Sequence, residues 1–243
     1  WVHVQRAELG AAVTEFRVIL ADAEAAHDEM SAIGATTGLA VARANQGQAA
    51  DAHAMALRAV EIARGLDVYF LGLATGTIAI AELAADHITA AREASTQNWE
   101  QLGATHPQLA TEHLAHHTVH SALAEGDLPF ARHCAETSAE RATGWHLAVA
   151  QLAWSRVARA EGQLDEAERH ARAAMAAATD SGAFLPLADI LEHFAALVLC
   201  DDAARAARVF GAAAAFRQRT GVVRFPMYDV AYDESVAALQ AAL

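Results

Sequence analysis

Apolar residues recur at three- and four-residue spacing through long stretches rich in Ala, Leu, Glu, Gln and Arg, and Gly- or Asp-containing breaks interrupt them every ~15 to 20 residues. The pattern predicts helices near residues 5–31, 34–46, 48–64, 68–84, 87–102, 107–125, 127–142, 145–161, 163–179, 185–200, 201–219 and 227–242. No segment alternates with the period of two that marks a half-buried strand. The four prolines, Pro107, Pro129, Pro186 and Pro226, fall where helices would begin, a position that has no use for the missing N–H. The predicted fold class is all-α.

A repeat lies inside this pattern. Gly47, Ala85, Gly126 and Gly162 each stand five residues before an Ala that opens Ala-x-x-x-Ala, giving the pairs Ala52/Ala56, Ala90/Ala94, Ala131/Ala135 and Ala167/Ala171. The intervals of 38, 41 and 36 residues suit a two-helix unit. A small residue permits a tight turn, and two alanines one helical turn apart let the second helix close onto the first. Two of the turns read almost alike, Ala-Glu-Gly-Asp-Leu-Pro-Phe-Ala over 124–131 and Ala-Glu-Gly-Gln-Leu-Asp-Glu-Ala over 160–167. The architecture expected is an α-solenoid of antiparallel helix hairpins forming one domain over 1–243. It would hold about five hairpins within 1–200, with closing helices over 201–243 that cap the last of them.

The turn pattern Gly-x-Leu-x-x-Ala-x-x-x-Ala resembles the tetratricopeptide repeat. The first-helix Trp/Leu-Gly-x-x-Tyr pattern and the repeat-ending Pro are absent and the period exceeds that family's, so the repeats are divergent tetratricopeptide-like ones over roughly residues 10–200. The stretch 203–221, with Phe225-Pro226 and residues 232–243 after it, resembles the closing helices of the repeat region in large LuxR-type transcriptional regulators of the STAND ATPase class. That resemblance implies a cytoplasmic, non-enzymatic sensor or scaffold that binds a protein segment or small effector. It would couple to flanking ATPase and helix-turn-helix modules outside this stretch, so no ATP- or DNA-contacting residue carries over. Two alternatives stand beside it: a self-association module for oligomerisation, and a small-molecule receptor unrelated to transcription.

Composition narrows the classes. The chain has no Lys, which removes the phosphate-loop and Schiff-base lysines, and its formal charge of −13 opposes direct nucleic-acid contact. The longest uncharged run, Val68 to Ala81, is too short to span a bilayer and reads as a buried helix, so no membrane contact is expected. Cys134 and Cys200 show no paired framework and read as two buried thiols. Arg205, Arg208, Arg217, Arg219 and Arg224 make the last quarter locally basic, a solvated face or a dock for an acidic neighbouring domain. The start at Trp1, with neither Met nor a signal pattern, reads as a segment of something longer. No hydrolase or dinucleotide motif occurs, and no cofactor is expected.

Histidine supplies the candidate chemistry. His113, His116, His117 and His120 share one helix within an arc of about 100°, with His106 on the same side, while Leu114, Ala115, Thr118, Val119 and Ala122 form the side to bury. The stripe should then face solvent or the groove of the array, where a partner or ligand would meet it. His113 and His117 at i and i+4 could chelate a metal with His120 or Glu112 adding a ligand, although solvated imidazoles need no metal. Near their ordinary pKa of about 6.5 such imidazoles would charge together on mild acidification. Trp145 and Trp154 read as core or groove fillers; the groove residues singled out are His113, His117, His120 and Trp154.

Overall fold

A computed structural model describes residues 1–243, and it is helical from end to end without a strand. Helices pair in chain order: α1 (Val2–Gln5) with α2 (Leu9–Ala26), α3 (Glu29–Asn45) with α4 (Ala49–Ala63), and α5 (Val68–Ala84) with α6 (Ile88–Gly103). The fourth hairpin begins with α7 (Pro107–His113), passes through a π-helical turn (Leu114–Thr118) into α8 (Val119–Ala124), and returns as α9 (Leu128–Arg141). Then α10 (Gly144–Ala160) pairs with α11 (Leu164–Ser181), α12 (Leu187–Val198) with α13 (Ala203–Thr220), and α14 (Asp229–Ala242) ends the chain. The array is the α-solenoid that the pattern predicts.

The turn inside each hairpin explains the small-residue repeat. Gly47, Gly126 and Gly162 take left-handed φ values of 74°, 76° and 77°. The next N–H reaches back five residues to a carbonyl: Gln48 to Arg43, Asp127 to Ala122 and Gln163 to Ala158, at 2.8–2.9 Å, which closes the helix end. Ala7 (φ 61°) and Asp86 (φ 62°) hold the same conformation without being glycine. Five residues beyond these turns stand Ala12, Ala52, Ala91, Ala131 and Ala167, each wholly buried. The second repeat therefore sits one residue later than its alanines suggest. Asp86 rather than Ala85 makes the turn, and Ala91 and Ser95 rather than Ala90 and Ala94 are its fully buried pair. An aspartate tolerates the left-handed region better than most residues, and that is how glycine's place is filled.

The helix expected over 5–31 is broken twice, by Ala7 and by His27 at φ 54°. Asp28 then accepts the Ser31 N–H at 3.1 Å and starts α3 five residues before the expected 34. Helix α13 is the partner of α12, so the boundary expected at residue 200 falls in the turn within the last hairpin. Cys134 is buried in the core with its thiol pushed up to about 11, whereas Cys200 lies exposed at that same turn, against the expectation of two buried thiols.

The superhelix closes on itself. The Phe184 and Leu185 N–H groups donate to the Gln5 carbonyl at 2.6 and 2.9 Å, and the Val223 N–H donates to the Asn45 carbonyl at 2.8 Å. One apolar cluster joins Val4, Phe16 and Leu39 of the first hairpins to Ala188, Phe216 and Val222 of the last. The link between α13 and α14 runs back over the concave side and is tied down by charge. Arg217 Nε meets Glu192 Oε1 at 2.7 Å and its Nη2 meets Asp189 Oδ1 at 2.6 Å, while Arg224 Nε meets Glu192 Oε2 at 2.9 Å. Burial pushes the Glu192 carboxyl up, but the two guanidinium groups outweigh it and hold it low. Arg217 and Arg224 are thus internal ties, not part of a solvated basic face.

Candidate functional site

The first helices of successive hairpins converge on one cavity of about 290 Å³. Val41 of α3, Leu73 and Ile80 of α5, Leu109 of α7 and Val149 of α10 supply its apolar wall. Ring closure supplies the rest: Trp1 and Gln5 from the start of the chain, Leu185 and Pro186 before α12, and Phe225 from the returning link. Helix α5 is apolar almost all round because it is enclosed, and its two glycines let neighbours approach. A side-chain carbon on Gly72 would stand 2.4 Å from Leu102, and one on Gly76 would stand 3.0–3.4 Å from Asn98 Nδ2, His113 Nδ1 and His117 Nε2. The Gly-x-x-x-Gly spacing was the available sequence signal for this close approach.

Three of the four stripe histidines line the cavity: His113, His116 and His117. The other side of the helix, with Leu114, Ala115, Thr118, Val119 and Ala122, is buried as well, so this helix is enclosed on both sides. His113 Nδ1 lies 3.2 Å from Asn98 Nδ2, which also donates to the Gly72 carbonyl at 2.6 Å. His117 Nδ1 lies 2.9 Å from Ser95 Oγ. His116 Nε2 lies 2.9 Å from His146 Nδ1, and His146 Nε2 reaches to 3.6 Å from Glu112. Trp145 lies against both rings, its centroid 4.7 Å from His116 and 4.4 Å from His146. Trp145 reads from sequence only as a core or groove filler, and His146 is not singled out at all; an aromatic pair at the start of a first helix was the signal for both.

His120 is separated from the others. The π-helical turn adds a residue to its turn and rotates the rest of the helix by about 100°, so the arc drawn for a regular helix does not hold. His120 Nδ1 instead meets the Tyr228 hydroxyl of the returning link, with the Arg156 guanidinium 3.8 Å above the Tyr228 ring. Trp154 also lies outside the cavity, stacked on His170 with centroids 4.2 Å apart. His106 packs on Tyr69. With the histidines so divided, no three His, Cys, Asp or Glu side chains gather in a metal-holding arrangement, and the triad of His113, His117 and His120 does not form.

Burial fixes the charge state of these imidazoles. It lowers His113 to about 4, with His146 adding to the effect, and lowers His120 to about 3, with Arg156 adding to it. His116 and His117 are held well below the ordinary value, again chiefly by burial. The stripe imidazoles are therefore held uncharged well below 6.5, against the expectation of joint charging near that value. Asp189 is the carboxylate side chain of the lining, and Arg217 pairs with it.

No family model matches the chain. Its sequence is 34% identical over 228 residues, 93% of the chain, to putative HTH-type transcriptional regulators of Mycobacterium bovis and Mycobacterium tuberculosis. The chain spans about a quarter of their length, 26% of each. Among solved structures, the crystal structure of BtubC (BKLC) from P. vanneervenii matches with a TM-score of 0.57 at 16% identity, covering 98% of this chain and 92% of that one; it shares the fold. Most of this chain is thus similar to one stretch of much longer putative HTH-type transcriptional regulators.

Proposed function

We propose that the chain is the effector-sensing segment of a transcriptional regulator, a non-enzymatic cytoplasmic scaffold of LuxR type whose cavity takes a small molecule. Coupling would run to ATPase and helix-turn-helix modules on either side of it. The observation that carries the reading is the largely apolar cavity at the point where the first helices and both ends of the array meet. A ligand there would touch the first, middle and last hairpins together, so occupancy would bias the curvature of the whole ring. The arrangement favours a small effector over a protein segment, because the chain's own link, with Phe225 and Tyr228, already lies across the concave side.

The test is Val149→Trp in the full-length protein, which fills the cavity from α10. Transcripts that change when the gene is deleted should change in this strain too, while circular dichroism of the purified variant shows the helices kept. A wild-type transcript profile with folded variant protein would sink the reading.

A further inference from the structure

Among the cavity-lining groups, His117 Nε2 is a buried polar atom with no hydrogen-bond partner. The side chain is 1% exposed, so bulk water does not satisfy it. The other polar groups around it are spoken for: Thr77 Oγ1 donates to the Leu73 carbonyl at 2.9 Å, Asn45 Nδ2 to the Val41 carbonyl at 2.9 Å, and His116 pairs with His146. An unpaired buried acceptor or donor is left desolvated without compensation, a cost that a ligand can recover.

The network also fixes what that atom offers. Ser95 Oγ donates its hydrogen to the Ala91 carbonyl at 2.7 Å, so toward His117 it accepts. Thr118 Oγ1, 3.2 Å from the same nitrogen, can accept as well, so the His117 proton sits on Nδ1 and Nε2 presents a bare lone pair. A ligand group reaching it must be a donor. Around it, Trp145, Leu73, Ile80 and Val149 form a wall that suits a flat hydrocarbon body. A volume of about 290 Å³ lies at the small end of ligand cavities and suits a body of about two fused rings. Charge is disfavoured: the imidazoles are uncharged, Asp189 repels anions, and Arg217 is committed to Asp189 and Glu192.

Building on the effector-cavity reading, we propose that the ligand is an uncharged, flat aromatic molecule carrying one hydroxyl or N–H donor, anchored on His117 Nε2 and packed against Trp145.

Isothermal titration of the chain at pH 7 with 2-naphthol, 2-methoxynaphthalene and 2-naphthoate tests it. These share the ring system and differ in donor and charge. 2-Naphthol should bind one to one, about ten-fold tighter than 2-methoxynaphthalene, the worth of one hydrogen bond, with 2-naphthoate weaker than 2-naphthol. His117→Phe should bring the first two to equal affinity, and Val149→Trp should abolish binding of both. Equal affinities in the wild-type chain, or tighter 2-naphthoate, overturn the donor-anchor proposal and leave the cavity reading standing. Binding that survives Val149→Trp places the probe elsewhere and also overturns it. No binding by any of the three overturns the cavity reading together with it.

Discussion

The second helices of the hairpins and the first helices solve different problems with the same backbone. Along the second helices one row repeats, Ala12, Ala52, Ala91, Ala131 and Ala167, buried to the last atom and set by a left-handed turn five residues earlier. Along the first helices the pattern diverges: α3 and α5 still share two glycines and a threonine, Gly34, Thr37 and Gly38 against Gly72, Thr75 and Gly76, but α7 offers histidines and α10 a tryptophan followed by a histidine. A row that must meet its neighbour at one distance in every unit admits one size of side chain. A surface that only surrounds a cavity is free to diverge, and there the chain has placed its unusual chemistry. The comparison predicts that pH will act through the first helices, added bulk through the second, and backbone strain through the turns between them.

The largest expected effect is on pH. His113, His116, His117 and His120 have folded pKa values far below the unfolded value of about 6.5. Between those values the unfolded chain holds more protons than the folded one, so stability falls as pH falls. The loss starts near pH 6.5 and levels off only near the folded values, about 4 for His113 and about 3 for His120. At ~1.4 kcal/mol per unit, His113 alone accounts for up to about 3 kcal/mol. Urea unfolding at pH 7, 6 and 5 should show a midpoint that drops at each step, with a shallower fall in His113→Asn. A midpoint that is flat from pH 7 to 5 would mean that water reaches these rings freely.

Added volume should separate the two helix sets next. Ala131→Leu forces a larger side chain into the wholly buried row between α8 and α9, and overpacking of this kind costs about 1–3 kcal/mol. Val149→Leu adds one methylene beside the cavity, which has room for it, and should cost less than ~1 kcal/mol. Equal losses in chemical denaturation would remove the distinction between frame and lining.

The frame was legible in sequence because its requirement is local. A glycine or small residue, then alanines five and nine positions on, can be read wherever the turn keeps that chemistry, and at 126–135 and 162–171 it does. At Ala7, Asp86 and His27 the same conformation is adopted by residues that do not announce it, so one helix was read across two breaks and one repeat slipped by a residue. The site was half legible. Four histidines on one helix marked the right element, but their common arc assumed a regular helix, and the π-helical turn sent His120 to Tyr228. The cavity they line is completed by ring closure through Gln5–Phe184 and Asn45–Val223. That contact sums small rotations over every hairpin, and no local pattern encodes such a sum.

The turns give the smallest and most pointed test, because five of them adopt one conformation with three residue types. Alanine in the left-handed region carries a steric cost of about 1–2 kcal/mol that glycine escapes, while glycine gives up more chain entropy on folding. Ala7 is at φ 61° and Gly126 at φ 76°, and a carbon added at Gly126 meets nothing within 4 Å, so strain alone separates the two residues there. Ala7→Gly relieves the strain but gives up a methyl buried in the core, so it should stabilise the chain by no more than about 0.5 kcal/mol, whereas Gly126→Ala should destabilise it by about 1 kcal/mol, read as opposite shifts of the thermal midpoint. If both shifts had the same sign, the turn at Ala7 would owe its shape to the contacts of the closed ring, and the five turns would no longer be one device.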